Sequence, residues 1–157
     1  MPTNNVTRFL DSRKIKYTAH ELPAEKIGGM EAAQILNVPA AQVFKTIVTA
    51  REKAKPVLAV IPADRSVDLK SLAVFLNEKK IFLTTQNEAE KLTGLQAGGI
   101  SPLALINKGF QVVIDSACES FDKIFISGGQ RGINIQIGVR DLIELVNAKV
   151  GAISKEL

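Results

Sequence analysis

VFKTIVTAREKAKPVLAVIPA, residues 43–63, consists of two apolar, β-branched runs separated by the charged loop 51–55. Such runs around a polar loop are typical of β-strands that pair as an antiparallel hairpin. The second run, 56–63, is almost continuously apolar, which predicts a strand buried on both faces, with a ladder confined between Pro56 and Pro62. We therefore predict a hairpin formed by strands 43–50 and 56–63.

Lys45 is unusual for its position in the first of these strands. Strand periodicity places it on the same face as Val43 and Ile47, so a cation lies among apolar neighbours. An isolated buried ammonium is costly. The residues alone leave two explanations open: the side chain reaches solvent or a binding partner, or it is an inward-pointing edge charge that blocks aggregation.

Short strands and helices alternate irregularly along the rest of the chain. Apolar spacing predicts helices at 3–14, 30–37, 68–76, 88–93 and 140–148, the fourth opened by a capping box of Asn87 and Glu90. It predicts further strands at 17–22, 80–84, 111–114, 124–127 and 133–137. This order favours an α+β fold around a mixed sheet, and we expect residues 1–157 to form a single domain.

The bulk composition is that of an ordinary soluble protein. Hydrophobic residues make up 46% and charged residues 23%, and no apolar run approaches the ~20 residues of a membrane helix. With one cysteine and no apolar leader, we expect a cytoplasmic location and no membrane partner. The net charge of +4 permits RNA binding, which we expect to be limited to one end of the RNA, and DNA is not expected as a partner.

Two glycine-rich stretches are candidates for a binding site. The first glycine loop, residues 94–102, reads GLQAGGISP, and the second glycine loop, residues 127–132, reads SGGQRG. Glycine allows close approach of a ligand to the backbone, and Pro102 holds the preceding residues extended. We predict a pocket lined by backbone N–H groups that holds a carbonyl oxygen, a ribose or a phosphate. The alternative is that both loops are ordinary hairpin turns.

Side chains with strong acid–base or metal chemistry are sparse. The chain contains no dinucleotide-binding or P-loop motif, no H-E-x-x-H and no G-x-S-x-G. His20 and Cys118 are each the only residue of their type, so we interpret both as structural and predict no metal site and no cofactor. An enzyme of this composition is expected to work by substrate positioning and oxyanion stabilisation.

Four motifs together resemble the YbaK/EbsC family, free-standing relatives of the editing domain inserted in bacterial prolyl-tRNA synthetase. They are VFKT at 43–46, GGISP at 98–102, VID at 113–115 and ISGG at 126–129 followed by Arg131 and Gly132. The likeness extends from about Lys14 to Lys149. It implies an α+β fold with a mixed, mostly antiparallel, partly barrel-like sheet surrounded by helices. It also implies hydrolysis of mischarged aminoacyl-tRNA, and the GGISPL wording is closest to the YbaK branch, which removes cysteine from tRNA for proline.

The resemblance assigns roles to individual residues. Lys45 matches the family's essential strand lysine, expected to hold the terminal adenosine of the tRNA or its phosphate. Asn134 stands where many relatives carry Asp, so it retains hydrogen bonding but not charge. The residues expected to be catalytic are Lys45, Gly99, Ile100 and Ser101, and those expected to bind substrate are Thr46, Gly98, Pro102, Ser127, Gly128, Gly129 and Asn134.

The implied mechanism needs no general base from the protein. In the YbaK branch, the thiol of the substrate attacks its own ester carbonyl and expels the tRNA 3′-oxygen. The expected partners are the acceptor end of an aminoacyl-tRNA and prolyl-tRNA synthetase. Two alternatives stay open, namely an editing deacylase for alanine or serine, and a non-catalytic module that binds tRNA ends or nucleotides.

Overall fold

The predicted hairpin lies in the middle of the larger of the observed sheets. In the computed structural model, which describes residues 2–157, strand β2 (Phe44–Ala50) pairs antiparallel with β3 (Val57–Pro62). Strand β3 also pairs in parallel with β6 (Gln111–Asp115). With β5 (Phe82–Leu83) and β9 (Lys149–Gly151) at its edges, this sheet has the order β5-β2-β3-β6-β9. The predicted hairpin and the mixed sheet are therefore confirmed.

A second, antiparallel sheet carries the second glycine loop between two of its strands. It has the order β1-β8-β7 and consists of β1 (Tyr17–Glu21), β7 (Lys123–Ser127) and β8 (Ile133–Gly138). Strands β4 (Arg65–Val67) and β10 (Ser154–Glu156) form a separate pair. In residues 2–157 one bridge, between Val43 and Phe125, joins the two larger sheets, so they do not close into a barrel. The expectation of a partly barrel-like sheet is wrong on this point.

Helices lie at all five predicted positions. They are α1 (Asn5–Ser12), α2 (Gly29–Leu36), α3 (Leu69–Phe75), α4 (Gln86–Thr93) and α5 (Val139–Val146). The predicted capping box of α4 is wrong, because the helix begins earlier. Thr85 is the N-cap and exchanges hydrogen bonds with Glu88, whereas Glu90 accepts a hydrogen bond from the backbone N–H of Ala97 at 2.8 Å.

Strand β3 lies in the core, and its lack of polar side chains fits burial of both of its faces. All six residues of β3 are buried. Leu58 and Val60 belong to a cluster that includes the isoleucines of β7 and β8, whereas Ala59 and Ile61 pack in a second cluster with Leu72 of α3. Burying one such aliphatic side chain is worth about 1.5–3 kcal/mol, so a strand covered on both faces anchors the sheet.

Candidate active site

A cavity of about 280 Å³ lies where the start of β2 approaches β8 and the first glycine loop. We call it the Lys45 cavity. The bridge between Val43 and Phe125 holds the start of β2 beside the second sheet. Six of the predicted site residues line this cavity: Lys45, Thr46, Gly98, Ile100, Ser127 and Asn134. The fold thus brings together residues that are up to 89 positions apart in the sequence, from Lys45 to Asn134.

Lys45 is half-buried, and its side chain reaches a partner. Its Nζ atom donates a hydrogen bond to the carbonyl oxygen of Ala63 at 3.3 Å. Burial lowers the pKa of the Lys45 ammonium below the ordinary lysine value, and the nearby carboxylate of Asp64 acts in the opposite direction. The sequence left open whether the Lys45 ammonium reaches a partner or is an edge charge, and its hydrogen bond to Ala63 agrees with the first explanation. A single hydrogen bond leaves further donor positions on the ammonium for a ligand.

The first glycine loop is held in place at several points. The carboxylate of Glu90 accepts from the N–H of Ala97, and the guanidinium of Arg131 donates to the Ala97 carbonyl at 2.7 Å. The N–H of Gly99 donates to the carbonyl of Gln96 at 2.8 Å, which closes a turn. Gly99 is buried so closely against the second glycine loop that a Cβ there would lie 2.7 Å from the Cα of Gln130. Gly99 therefore sets the spacing of the two loops.

The N–H groups of the two loops differ in availability. Those of Gly99, Gly128 and Gly129 are already donated, to Gln96, Ile133 and Ser127 respectively. Those of Gly98 and Ile100 in the first loop and of Gly132 in the second have no acceptor anywhere in residues 2–157, and all three residues line the Lys45 cavity. Within the two loops, the predicted pocket of backbone donors thus reduces to the N–H groups of Gly98, Ile100 and Gly132.

Asn134 contributes a buried acceptor to the same cavity. It lies in the middle strand of the second sheet, opposite His20 of β1 and Ser127 of β7. The residue is 5% exposed, and its Oδ1 atom has no hydrogen-bond partner within the described chain. An unsatisfied buried acceptor costs about 1–3 kcal/mol. At the cavity wall this oxygen is available to accept a hydrogen bond from a bound molecule.

Comparison with known proteins places the chain in a family. The model of the aminoacyl-tRNA editing domain matches residues 24–145, which include every predicted site residue. The chain belongs to the aminoacyl-tRNA editing family. It is 29% identical to EbsC of Enterococcus faecalis, provisionally named a Cys-tRNA(Pro)/Cys-tRNA(Cys) deacylase, over 96% of this chain and 92% of that protein. These matches confirm the predicted resemblance to YbaK/EbsC proteins.

Two further relatives agree with this assignment. The prolyl-tRNA editing protein ProX of Acetoanaerobium sticklandii is 26% identical over 88% of this chain and 87% of its own length. The crystal structure of a hypothetical protein superimposes with a TM-score of 0.88 at 24% identity, over 97% of this chain and all of the other. The structural likeness confirms the α+β fold, and the family makes the chain an aminoacyl-tRNA editing domain.

Five predicted residues do not line the Lys45 cavity of this editing domain. Gly99 and Pro102 are buried behind it, and Pro102 begins a short 3₁₀-helix. The hydroxyl of Ser101 is fully buried and accepts from the N–H of Leu103 at 3.2 Å. Gly128 and Gly129 line a different cavity, described below. The structure therefore gives these residues a place in shaping the loops and not in the cavity wall.

One wall of the cavity, formed by residues from 22 to 32, was not predicted from the sequence. Helix α2 begins there with Gly28 as its N-cap, so the unpaired N–H groups of its first turn lie at this wall with their partial positive charge. A Cβ on Gly29 would lie 2.7 Å from that of Ala63, whose carbonyl binds Lys45. In the sequence, the pair Gly28-Gly29 is the only sign of this wall, and it predicts no more than an interruption before the helix at 30–37.

His20 and Cys118 lie outside the cavity lining. Cys118 is completely buried in the core, and burial raises the pKa of its thiol to about 11. The imidazole of His20 is 3.1 Å from the amide oxygen of Gln136. In residues 2–157, no three His, Cys, Asp or Glu side chains lie where they could share a metal ion, and the longest helices have eight residues, too few to cross a membrane.

Proposed function

We propose that this editing domain is a trans-editing deacylase that removes cysteine from tRNA for proline. The observation that carries the proposal is the meeting, in one cavity, of the Lys45 ammonium, the free N–H groups of Gly98 and Ile100, and the unpaired oxygen of Asn134. A cation, two donors and one acceptor match the phosphate, ester and amino groups of an aminoacylated tRNA end. The names of the EbsC and ProX relatives support the same substrate class.

Lys45 anchors the tRNA end in this proposal. Its ammonium binds the terminal adenosine or its phosphate, and the amino terminus of α2 adds positive potential on the neighbouring wall. At ~4 Å and an effective dielectric near 20, a pair of opposite unit charges is worth about 4 kcal/mol before desolvation. Because the Lys45 ammonium is already partly desolvated in the free protein, part of its desolvation cost is incurred on folding and not on binding.

The N–H groups of Gly98 and Ile100 stabilise the oxyanion. When the substrate thiol attacks the ester carbonyl, a carbon–sulfur bond forms, the carbonyl oxygen becomes negative, and these donors bind it. Collapse of this intermediate breaks the bond to the ribose 3′-oxygen, which takes up the proton lost by the thiol. The products are a cyclic thioester of cysteine and uncharged tRNA. One well-placed donor of this kind is worth about 2.7–4 kcal/mol in the transition state.

Chemical reactivity, more than fit, then selects the substrate. A pocket that distinguishes one methylene group supplies only about 10–200-fold discrimination, which is weak among alanine, serine and cysteine. A free thiol is a few per cent ionised at neutral pH and is intrinsically a strong nucleophile. Asn134 holds the substrate in the reactive conformation by accepting a hydrogen bond from the bound aminoacyl group.

The test compares tRNA for proline carrying cysteine, serine or alanine, with S-methylcysteine as the matched control that lacks only the free thiol. We expect cysteine to be released fastest and S-methylcysteine to be stable. Preferential release of alanine would contradict the thiol mechanism and favour the alternative editing specificity. Binding of all four without turnover would identify a non-catalytic module.

The proposed partners are the acceptor end of the charged tRNA and prolyl-tRNA synthetase. The chain carries a net charge of only +4, which predicts weak tRNA binding by the editing domain alone. Adding the synthetase to the deacylation assay is expected to lower the KM for cysteinyl-tRNA for proline. An unchanged KM would remove the synthetase from the proposal and leave the deacylase activity in place.

A further inference from the structure

A second cavity lies on the other side of the paired glycine loops. Its volume is about 440 Å³, and its walls are α1, the segment 103–108 and the tip of the second glycine loop, Gly128 to Gln130. We call it the α1 groove. Its floor is apolar, with Val6 and Leu103 buried beneath it. The mechanism proposed above uses no residue of this groove.

The polar side chains of the α1 groove have one sign of charge. Arg13 and Lys108 are both exposed, and the lining residues include no Asp or Glu. The guanidinium of Arg13 lies over the ring of Phe9, 5.0 Å from its centroid. Stacked Arg and aromatic planes are the surfaces on which unpaired bases stack, and the cations match phosphates. The amides of Asn5, Asn107 and Gln130 add donors and acceptors at the rim.

The groove and the Lys45 cavity share the second glycine loop as a wall. Ser127 lines the cavity, whereas the next three residues line the groove. The side chain of Asn4 donates to the carbonyl of Gly128 at 2.8 Å and to the side-chain oxygen of Gln130 at 3.2 Å, so α1 is fixed to the tip of this loop. A strand that crosses this loop from the cavity reaches the groove.

We propose that the α1 groove binds the unpaired nucleotides that precede the terminal adenosine of the charged tRNA, an inference that rests on the proposed function. Bases stack on the Arg13–Phe9 pair, and Arg13 and Lys108 contact the phosphates between them. The sequence shows no interleaving of aromatic and basic residues, because the platform is built from one turn of α1 and from Lys108, which is distant along the chain.

The test measures binding of a labelled RNA hairpin that has the acceptor-stem sequence and an unpaired 3′ ACCA end. The variant Arg13→Gln/Lys108→Gln is compared with Lys53→Gln/Lys70→Gln, which removes two exposed lysines outside the groove and the same formal charge. We expect the groove variant to bind about tenfold more weakly and to lower the salt slope by about 1.4, at ~0.7 per phosphate contact of a single strand. The control variant should bind like the wild type.

The same variants on a hairpin without the unpaired end show whether the effect is local. Binding of that blunt hairpin is expected to be equal for the groove variant and the control. Equal loss of RNA affinity in both variants, or no loss in either, would overturn the proposal. The groove would then contribute only nonspecific positive charge to RNA binding, or nothing.

Turnover separates this inference from the proposed function. For cysteinyl-tRNA, the groove variant is expected to raise KM about tenfold with kcat unchanged, whereas turnover of 3′-cysteinyl-adenosine, which lacks the preceding nucleotides, stays at the wild-type rate. If the wild type binds the ACCA hairpin through the groove but releases no amino acid from either substrate, the deacylase proposal fails and the groove stands. If KM for both substrates is unchanged, the groove inference fails alone.

Discussion

The two glycine loops have similar sequences but differ in what their backbones offer. In the first loop, Gly98 and Ile100 line the Lys45 cavity, and their N–H groups have no acceptor in residues 2–157. In the second, the N–H groups of Gly128 and Gly129 are donated within the loop and its flanking strand, and only that of Gly132 is free at the cavity. Glycine content marks both loops equally, and only the hydrogen-bond pattern shows which backbone donors of each loop remain available at the cavity.

The largest expected effect is that of Lys45, which defines the cavity to which the first loop belongs. We expect Lys45→Ala to lower kcat/KM for cysteinyl-tRNA by about 10²–10³-fold, the effect of losing one key donor in the transition state. Folding should be retained, because the ammonium makes a single hydrogen bond in the protein. Circular dichroism and single-turnover deacylation check the two statements. Full activity in a folded Lys45→Ala protein would make Lys45 an edge charge only.

Two alanine substitutions compare the loops directly. Gly99→Ala places a Cβ 2.7 Å from the Cα of Gln130 and pushes the loops apart, and a displacement of ~1 Å at a catalytic geometry costs about 100-fold in rate. Gly129→Ala forces a side chain at φ +92° and 2.9 Å from the Cβ of Ala104, which should cost about 1–3 kcal/mol of stability.

The measurement for this pair is deacylation per folded molecule together with urea unfolding. We expect Gly99→Ala, whose Cβ meets the backbone of Gln130 and Arg131, to lose both stability and activity per folded molecule, and Gly129→Ala to lose stability alone. The reverse pattern would exchange the roles assigned to the two loops.

Asn134 gives a smaller effect that sharpens the same comparison. Because its Oδ1 has no partner in the described residues, Asn134→Ala removes the cost of that unsatisfied atom and should not lower the free energy of unfolding, while it should lower kcat/KM about tenfold, the value of one hydrogen bond to substrate. Asn134→Asp keeps an oxygen acceptor and serves as the matched control. A large loss of stability in Asn134→Ala would show that the amide is structural.

The smallest effect concerns stability and pH. Burial lowers the pKa of Lys45 in the folded protein below the ordinary lysine value. At pH values between these two pKa values, the unfolded chain binds more protons than the folded protein. The contribution of Lys45 to stability therefore rises with pH in this range. We therefore expect Lys45→Met to be more stable than the wild type at neutral pH, with a difference that narrows at alkaline pH. Urea midpoints at both pH values, with Lys53→Met as the exposed control, measure this. A constant difference would argue against desolvation as the cause.

Much of the fold follows from local patterns in the sequence. The hairpin, the five helices and most strands were predictable because apolar residues recur with the period of each element. Strands β4, β9 and β10 were not predicted, because each has only three residues, too few to show a period. Each forms by pairing with a segment that is distant in the sequence. The barrel expectation came from the family likeness and is wrong because a single bridge joins the larger sheets in the described chain.

The candidate site was predictable only in part for the same reason. Lys45 was recognised because a cation interrupts an apolar strand, and the first glycine loop because its backbone is permissive. The wall formed by α2 and the unpaired oxygen of Asn134 depend on contacts between segments far apart in sequence. The roles of the two loops likewise require knowledge of which N–H groups are already donated.

The most direct test of the central claim is a titration of the ¹⁵N-labelled protein with an amide-linked 3′-cysteinylamino-adenosine, followed by NMR. The account predicts that the backbone N–H resonances of Gly98 and Ile100 shift downfield on saturation, with the side-chain amide of Asn134 shifting too, while those of Gly128 and Gly129 stay in place. Shifts centred on Gly128 and Gly129, with Gly98 and Ile100 unmoved, would contradict it.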